Sequence, residues 1–256
     1  MKNGYSGLRA RKEKPTDCRV CPIRNLALFE AVRDDLLDWT QKYRSQQYAL
    51  DARRVLYREG EIIDESFTLF QGWIMLFKML PDGKRQVLRF ALPGDFLGFR
   101  DGGEPANHSA MAITDSILCG FPEDRLSQLF RERPEIFAKL VSIQQHDMSQ
   151  CYDHVMSVGQ KSAIESIACM LIDLHDRCLE RDTAGNPKAL DFPLSQEEIA
   201  DYAGITLVHA SRVIKELRDK GVIDNGHRKI RVLDVEQLRS IANISLLEET
   251  ESITGF

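Results

Sequence analysis

The chain has 256 residues, of which 43% are apolar and 29% charged, with a formal net charge of −5. That is an ordinary globular composition, long enough for two domains of moderate size and too acidic for a histone-like protein, although a local basic surface remains open. No window approaches the roughly 18 uninterrupted apolar residues of a membrane span, and the first residues lack the apolar stretch of a secretory signal, so neither is expected. Six cysteines (Cys18, Cys21, Cys119, Cys151, Cys169, Cys178) are too sparse for a disulfide scaffold and read as thiols or ligands of a cytoplasmic protein.

Residues 1–14 carry Lys2, Arg9, Arg11, Lys12 and Lys14 against Glu13 alone, which reads as a flexible basic arm. Cys18 and Cys21 follow, then apolar positions at helical spacing (Leu26, Leu28, Phe29, Val32, Leu36, Leu37). From about residue 48 to 122 short β-rich runs alternate with turn signals. The runs are Val55–Tyr57, Phe67–Phe70, Trp73–Met79, Gln86–Phe90 and Ser116–Phe121. The turns include Pro81-Asp82-Gly83-Lys84, Pro93-Gly94-Asp95 and Asp101-Gly102-Gly103. This regularity predicts an antiparallel roll or barrel.

After Pro134 the period becomes helical. Phe137, Val141, Gln144, Met148, Cys151, Val155 and Val158 are spaced alternately by four and three, the signature of a coiled-coil seam. So narrow a stripe, with Gln144 in it, fits a parallel two-helix dimer interface better than a wide core face; the alternative is one helix packed on its own barrel. Cys151 would face its copy across the two-fold axis, as a small core residue or as an intersubunit disulfide under oxidation. Gly159 and Gln160 are expected to interrupt this helix, a second apolar helix runs over Ala163–Leu179, and Asp182–Pro193 reads as a linker. Cys169 and Cys178 receive no role.

Ser195-x-x-Glu198 is a capping box opening a helix over Gln196–Tyr202. Gly204 can make the tight turn, and Thr206 caps a second helix that runs to about Asp219. A short helix, a glycine turn and a longer helix is helix-turn-helix spacing. Beyond it, Val222-Ile223, a turn at Asn225-Gly226 and Ile230-Arg231-Val232 read as the hairpin of a winged helix. Thr206–Arg231 holds seven Lys/Arg against three acids, a basic island in an acidic chain, as phosphate contact requires. Val208, His209, Ser211, Arg212 and Lys215 on the second helix, with Arg228 and Lys229 on the hairpin, are the candidate DNA contacts. The Arg212 fork can chelate O6 and N7 of guanine, and Val208 can pack on a thymine methyl.

The expected organisation is α+β. Residues 1–30 are the arm and cysteine pair, 31–133 an antiparallel β-roll, 134–160 a dimerisation helix, 161–246 a winged helix-turn-helix and 247–256 an acidic tail. No nucleophile–base pattern, phosphate-cradling glycine loop or metal-hydrolase signature is present, so an enzyme is not expected.

This order of elements, with Pro93-Gly94-Asp95-Phe96-Leu97-Gly98 in the roll, Leu194-Ser195-x-x-Glu198-Ile199-Ala200 at the first DNA helix and Ser211-Arg212-Val213-Ile214 on the second, resembles the family of the cyclic-AMP receptor protein and the fumarate–nitrate reductase regulator (CRP/FNR), in its FNR/FixK-like branch. The resemblance covers nearly the whole chain. It implies a homodimeric transcription regulator that reads a palindrome with TTG…CAA-like arms and contacts RNA polymerase. Where the cyclic-nucleotide binders carry a Glu for the ribose and an Arg for the cyclic phosphate, this chain has Phe99 and His108, so cyclic AMP is not expected. The oxygen-sensing branch holds an iron–sulfur cluster on four cysteines. Cys18, Cys21 and Cys119 match three, while the third position falls on Ala27 or Phe29. The resemblance thus implies a sensor of oxygen, redox state or nitrogen oxides whose cluster takes a fourth ligand from Asp17, a histidine, solvent or a small molecule, or is a [2Fe–2S] or a labile cluster. A redox-active dithiol without cofactor, another bound ligand, and a regulator of the same fold governed by abundance or by a ligand in the roll remain open. Relatives also carry a Glu where Val208 stands, so the inner bases of the half-site are expected to differ.

Overall fold

The computed structural model describes residues 8–11, 15–26, 28, 41–100, 103–181, 191–226 and 228–243. The chain divides into two compact units, Met1–His154 and Val155–Phe256. Lys2, Lys12 and Lys14 of the expected arm, the helix expected through Phe29, Val32, Leu36 and Leu37, the Asp101-Gly102 turn residues, residues 182–190 of the expected linker and the acidic tail lie outside the described residues.

In the first unit the strands are β1 (Leu8–Ala10), β2 (Gln47–Leu50), β3 (Val55–Tyr57), β4 (Glu65–Gln71), β5 (Ile74–Met79), β6 (Arg85–Ala91), β7 (Phe96–Leu97), β8 (Ser109–Ala112) and β9 (Ser116–Pro122). They form two antiparallel sheets, ordered β1-β2-β9-β4-β7 and β3-β8-β5-β6. Leu50, Leu56, Phe67, Leu69, Ile74 and Leu118 fill the core of this roll. The Pro81-Asp82-Gly83 turn joins β5 to β6, with Gly83 at φ +87° donating its N–H to Leu80 O at 2.9 Å. Pro93-Gly94-Asp95 works differently. Gly94, at φ +102°, donates to Leu69 O at 2.8 Å, and the Asp95 carboxylate accepts the Leu92 N–H at 3.0 Å. A Cβ on Gly94 would stand 2.9 Å from Leu26 Cβ, so both conformation and space require glycine.

One expectation is corrected here. Leu8–Ala10 is not part of a free arm but an edge strand, paired with β2 in the register Leu8↔Leu50, because Leu8 has an apolar core to pack on.

The helices α1 (Glu123–Glu132) and α2 (Pro134–Gln160) follow the roll. Arg133 between them leaves helical geometry at φ −140°, as the residue before proline does. Gly159 does not interrupt α2, which runs through it. The break falls at Lys161-Ser162, where the Ser162 hydroxyl and the Glu165 carboxylate form a capping box that starts α3 (Ala163–Glu180).

The second unit continues with β10 (Asp191–Phe192), α4 (Gln196–Ala203), α5 (Leu207–Asp219), β11 (Ile223–Gly226), β12 (Lys229–Val232) and α6 (Val235–Ala242). Ile167, Leu171, Phe192, Ile199, Ile214 and Leu238 are buried at its centre. Two readings change. Asp191-Phe192 belongs to a sheet of order β10-β12-β11 rather than to a linker, because fully buried Phe192 anchors it opposite Ile230. The hairpin does not turn at Asn225-Gly226. Those residues pair with Ile230 and Lys229, so the tip lies beyond them and Arg228 takes the positive φ of 54°. Among the described residues no helix is long and apolar enough to cross a membrane.

Candidate nucleic-acid interface and thiol cluster

Two caps and one left-handed residue build the helix pair. Ser195 and Glu198 form a reciprocal capping box on α4. Gly204 stops that helix at φ +66°, and the Thr206 hydroxyl accepts the His209 N–H at 3.3 Å to start α5. Ala210, Val213, Ile214 and Leu217 turn inward from α5, which leaves Val208, His209, Arg212 and Lys215 exposed and Ser211 half-buried on the opposite face.

The charges on this surface fall into two groups. Lys229 and Arg231 reach Asp191 at 3.6 and 2.7 Å, and the Arg231 hydrogen bond holds the Asp191 carboxyl below its ordinary range. Arg218 and Lys220 pair with Asp219 and Glu216. Arg212 and Lys215, by contrast, make no ion pair or hydrogen bond with any described residue. A cation left unpaired on an exposed helix face is available to phosphate or base edges.

Sequence reasoning missed the link between helix and hairpin. Glu198 is fully buried, accepts from Ser195 N–H at 2.6 Å and from its hydroxyl at 2.8 Å, and stands 3.8 Å from Arg228 at the hairpin tip. The capping box was legible, but its partner on the hairpin is thirty residues away and only the fold brings it near.

In the first unit Cys18, Cys21 and Cys119 are close enough for the charge of one thiolate to act on the others. Cys18 sits on a one-turn 3-10 helix, Cys18–Val20, capped by Asp17, and packs on the apolar cluster that holds Cys119 of β9. Burial pushes the Cys18 thiol up to about 11 against the opposing pull of Arg44, and burial raises Cys21 as well. The Cys119 sulfur accepts a hydrogen bond from Gln47 Nε2 at 3.3 Å. No three His, Cys, Asp or Glu side chains among the described residues are arranged to hold a metal ion. Among the described residues these thiols supply three of the four thiolates that a cubane cluster held by cysteine alone requires.

A cavity of about 640 Å³ opens between the roll and α2, against Tyr57, Arg89, Phe99, Arg100 and His108. Its cations are largely spoken for: Arg89 bonds Asp147 and lies 3.5 Å from Asp95. Arg100 bonds Asn107. Burial lowers His108 to about 4, so its ring is neutral and exchanges a hydrogen bond of 3.0 Å with the Tyr57 hydroxyl. All seven seam residues of α2 are exposed, Val155 at 70%, and five of them, Phe137, Val141, Gln144, Met148 and Cys151, also line the rim of this cavity. The buried apolar positions of α2 are Ile136 and Leu140.

Two family models match the chain, a cyclic nucleotide-binding domain over residues 49–133 and a Crp-like helix-turn-helix domain over residues 165–241. The nitrogen fixation regulation protein FixK of Bradyrhizobium diazoefficiens is 30% identical, over 88% of this chain and 93% of its own. The transcriptional activator protein FnrL of Cereibacter sphaeroides is 30% identical, over 86% and 90%. The structure of FixK2 from Bradyrhizobium japonicum superposes with a TM-score of 0.70 at 25% identity, covering 78% of this chain and 98% of that one. Fold, helix-turn-helix and full-length relatives agree: the chain belongs to the CRP/FNR family and is a DNA-binding transcription regulator, not an enzyme.

Proposed function

We propose that the protein acts in the cytoplasm as a homodimer on a palindromic, TTG…CAA-like site, with α5 in the major groove and RNA polymerase as its further partner. The observation that carries the reading of DNA is the unpaired pair Arg212 and Lys215 on the exposed face of a capped, well-packed helix. Arg212 takes the guanine, Lys215, Arg228 and Lys229 take phosphates, Ser211 a base edge or phosphate, and Val208 and His209 the inner bases. The exposed stripe from Phe137 to Val158 supports the dimer, since five large apolar side chains there, Phe137, Val141, Met148, Val155 and Val158, are at least two-fifths exposed in the single chain. Two copies joined along it would present two α5 helices to half-sites one DNA turn apart.

The input is assigned to Cys18, Cys21 and Cys119 as a thiol-based redox response, their mutual proximity being the support, and burial of Cys18 and Cys21, which keeps their thiols protonated, makes it a slow one at neutral pH. A second reading has its own observation: the 640 Å³ cavity is large enough for a small organic effector other than a cyclic nucleotide. Selection of binding sites from randomised palindromes tests the function. Enrichment of a guanine that Arg212→Ala alone releases is expected, and a selected site with no such guanine would refute the assignment.

A further inference from the structure

The break between α2 and α3 holds an arrangement that the DNA-binding function does not use. Lys161, at the break, points its Nζ to the Cys169 sulfur at 2.9 Å and to the Ala242 carbonyl at 3.0 Å. The Cys169 thiol donates to the same carbonyl at 3.3 Å. Cys169 lies on α3, and Ala242 ends α6, which packs on α3. Among the described cysteines, Cys169 alone accepts a hydrogen bond from an ammonium group.

From this geometry we infer that Lys161 and Cys169 form a redox modification site, closing to a covalent nitrogen–sulfur link when a peroxide oxidises the thiol. An ammonium in contact with sulfur favours the thiolate, the form that a peroxide attacks. The first step takes an electron pair from sulfur: Cys169–SH and H2O2 give Cys169–SOH and water. In the second, Lys161 gives up its ammonium proton to solvent, and the neutral amine attacks sulfur. The S–N bond forms, the S–O bond breaks, and the hydroxyl leaves with a proton from nitrogen as a second water. Two equivalents of an added thiol reverse the link, restoring amine and thiol and yielding the disulfide of the reductant. Closure removes the ammonium charge that faces the last carbonyl of α6, a position where a cation is favourable. It also ties the residue preceding the Ser162 cap to α3. The inference rests on this second unit alone and not on how the protein reads DNA.

The test treats the full-length protein with hydrogen peroxide, alkylates the remaining thiols under denaturing conditions, digests with trypsin and measures peptide masses. The expected product is a peptide uncut at Lys161, two hydrogens lighter than its reduced form and unalkylated at Cys169, which added dithiothreitol converts back. The same species is expected in Cys151→Ser, which removes an internal disulfide as its source. It is expected to be lost in both Lys161→Arg and Cys169→Ser, two variants that keep size and polarity. Full alkylation of Cys169 after peroxide would overturn the inference. So would sulfinic Cys169 beside a cleaved Lys161, or persistence of the uncut peptide in Cys169→Ser.

Discussion

Val155→Asp is the sharpest perturbation of the proposed dimer, because Val155 is 70% exposed and its replacement disturbs little within the single chain. Complete burial of a valine contributes about 1.5 kcal/mol, so the exposed part that a partner covers is worth about 1 kcal/mol per protomer. An aspartate at the same place forfeits that and leaves an unpaired carboxylate at the seam, at about 1 kcal/mol or more each. Two-fold symmetry counts both effects twice, giving about 4 kcal/mol and roughly a thousandfold weaker association. Sedimentation equilibrium of wild type and variant across micromolar concentrations measures this directly, with circular dichroism confirming unchanged helix content. The variant is expected to sediment as a monomer where the wild type is a dimer, and to lose binding to the full palindrome accordingly. A Val155→Asp protein that dimerises with wild-type affinity would refute the seam, and the stripe would then need another occupant.

Arg212→Ala should cost about 1–3 kcal/mol on the selected site and relax preference at a single base pair, as competition binding would reveal; a loss spread evenly over all sequences would make Arg212 a phosphate contact instead. Glu198→Gln keeps the shape of the capping box but removes the charge that accepts from Ser195 and faces Arg228. About 1 kcal/mol of stability should be lost on urea unfolding, because the charge-assisted bonds from Ser195 become neutral ones, while the ion pair to Arg228, which is 41% exposed, is largely screened. His108 sets a pH dependence: burial lowers it from 6.5 to about 4, so between those values the unfolded chain binds a proton that the folded chain refuses. Stability is therefore fully present above about pH 6.5 and falls as pH drops toward about 4, a slope that His108→Gln should flatten in thermal melts. Cys18, held up to about 11, should resist iodoacetamide at neutral pH in the native protein and react as the solution is made strongly alkaline.

The sequence by itself determined the local elements and their order. Capping residues, glycine at left-handed positions and apolar period are properties of neighbours in the chain, so Ser195-x-x-Glu198, Gly204, Thr206 and the Pro81-Asp82-Gly83 turn were legible, and with them the helix-turn-helix and the roll. Where two local signals competed, the stronger prevailed: the Ser162–Glu165 capping box ended the long helix, and Gly159, tolerated within it, did not. What depended on distant pairing was decided only by tertiary structure. Leu8–Ala10 and Asp191-Phe192 are too short to announce themselves and become strands because Leu50 and Ile230 lie opposite them. Hairpin register placed Arg228, rather than the Asn-Gly pair, at the tip, and so beside Glu198. The approach of Lys161 to Cys169 and the end of α6 is likewise a product of helix packing. Spacing along a chain states which side chains share a face, whereas contact across the fold depends on where distant backbone segments are brought to rest.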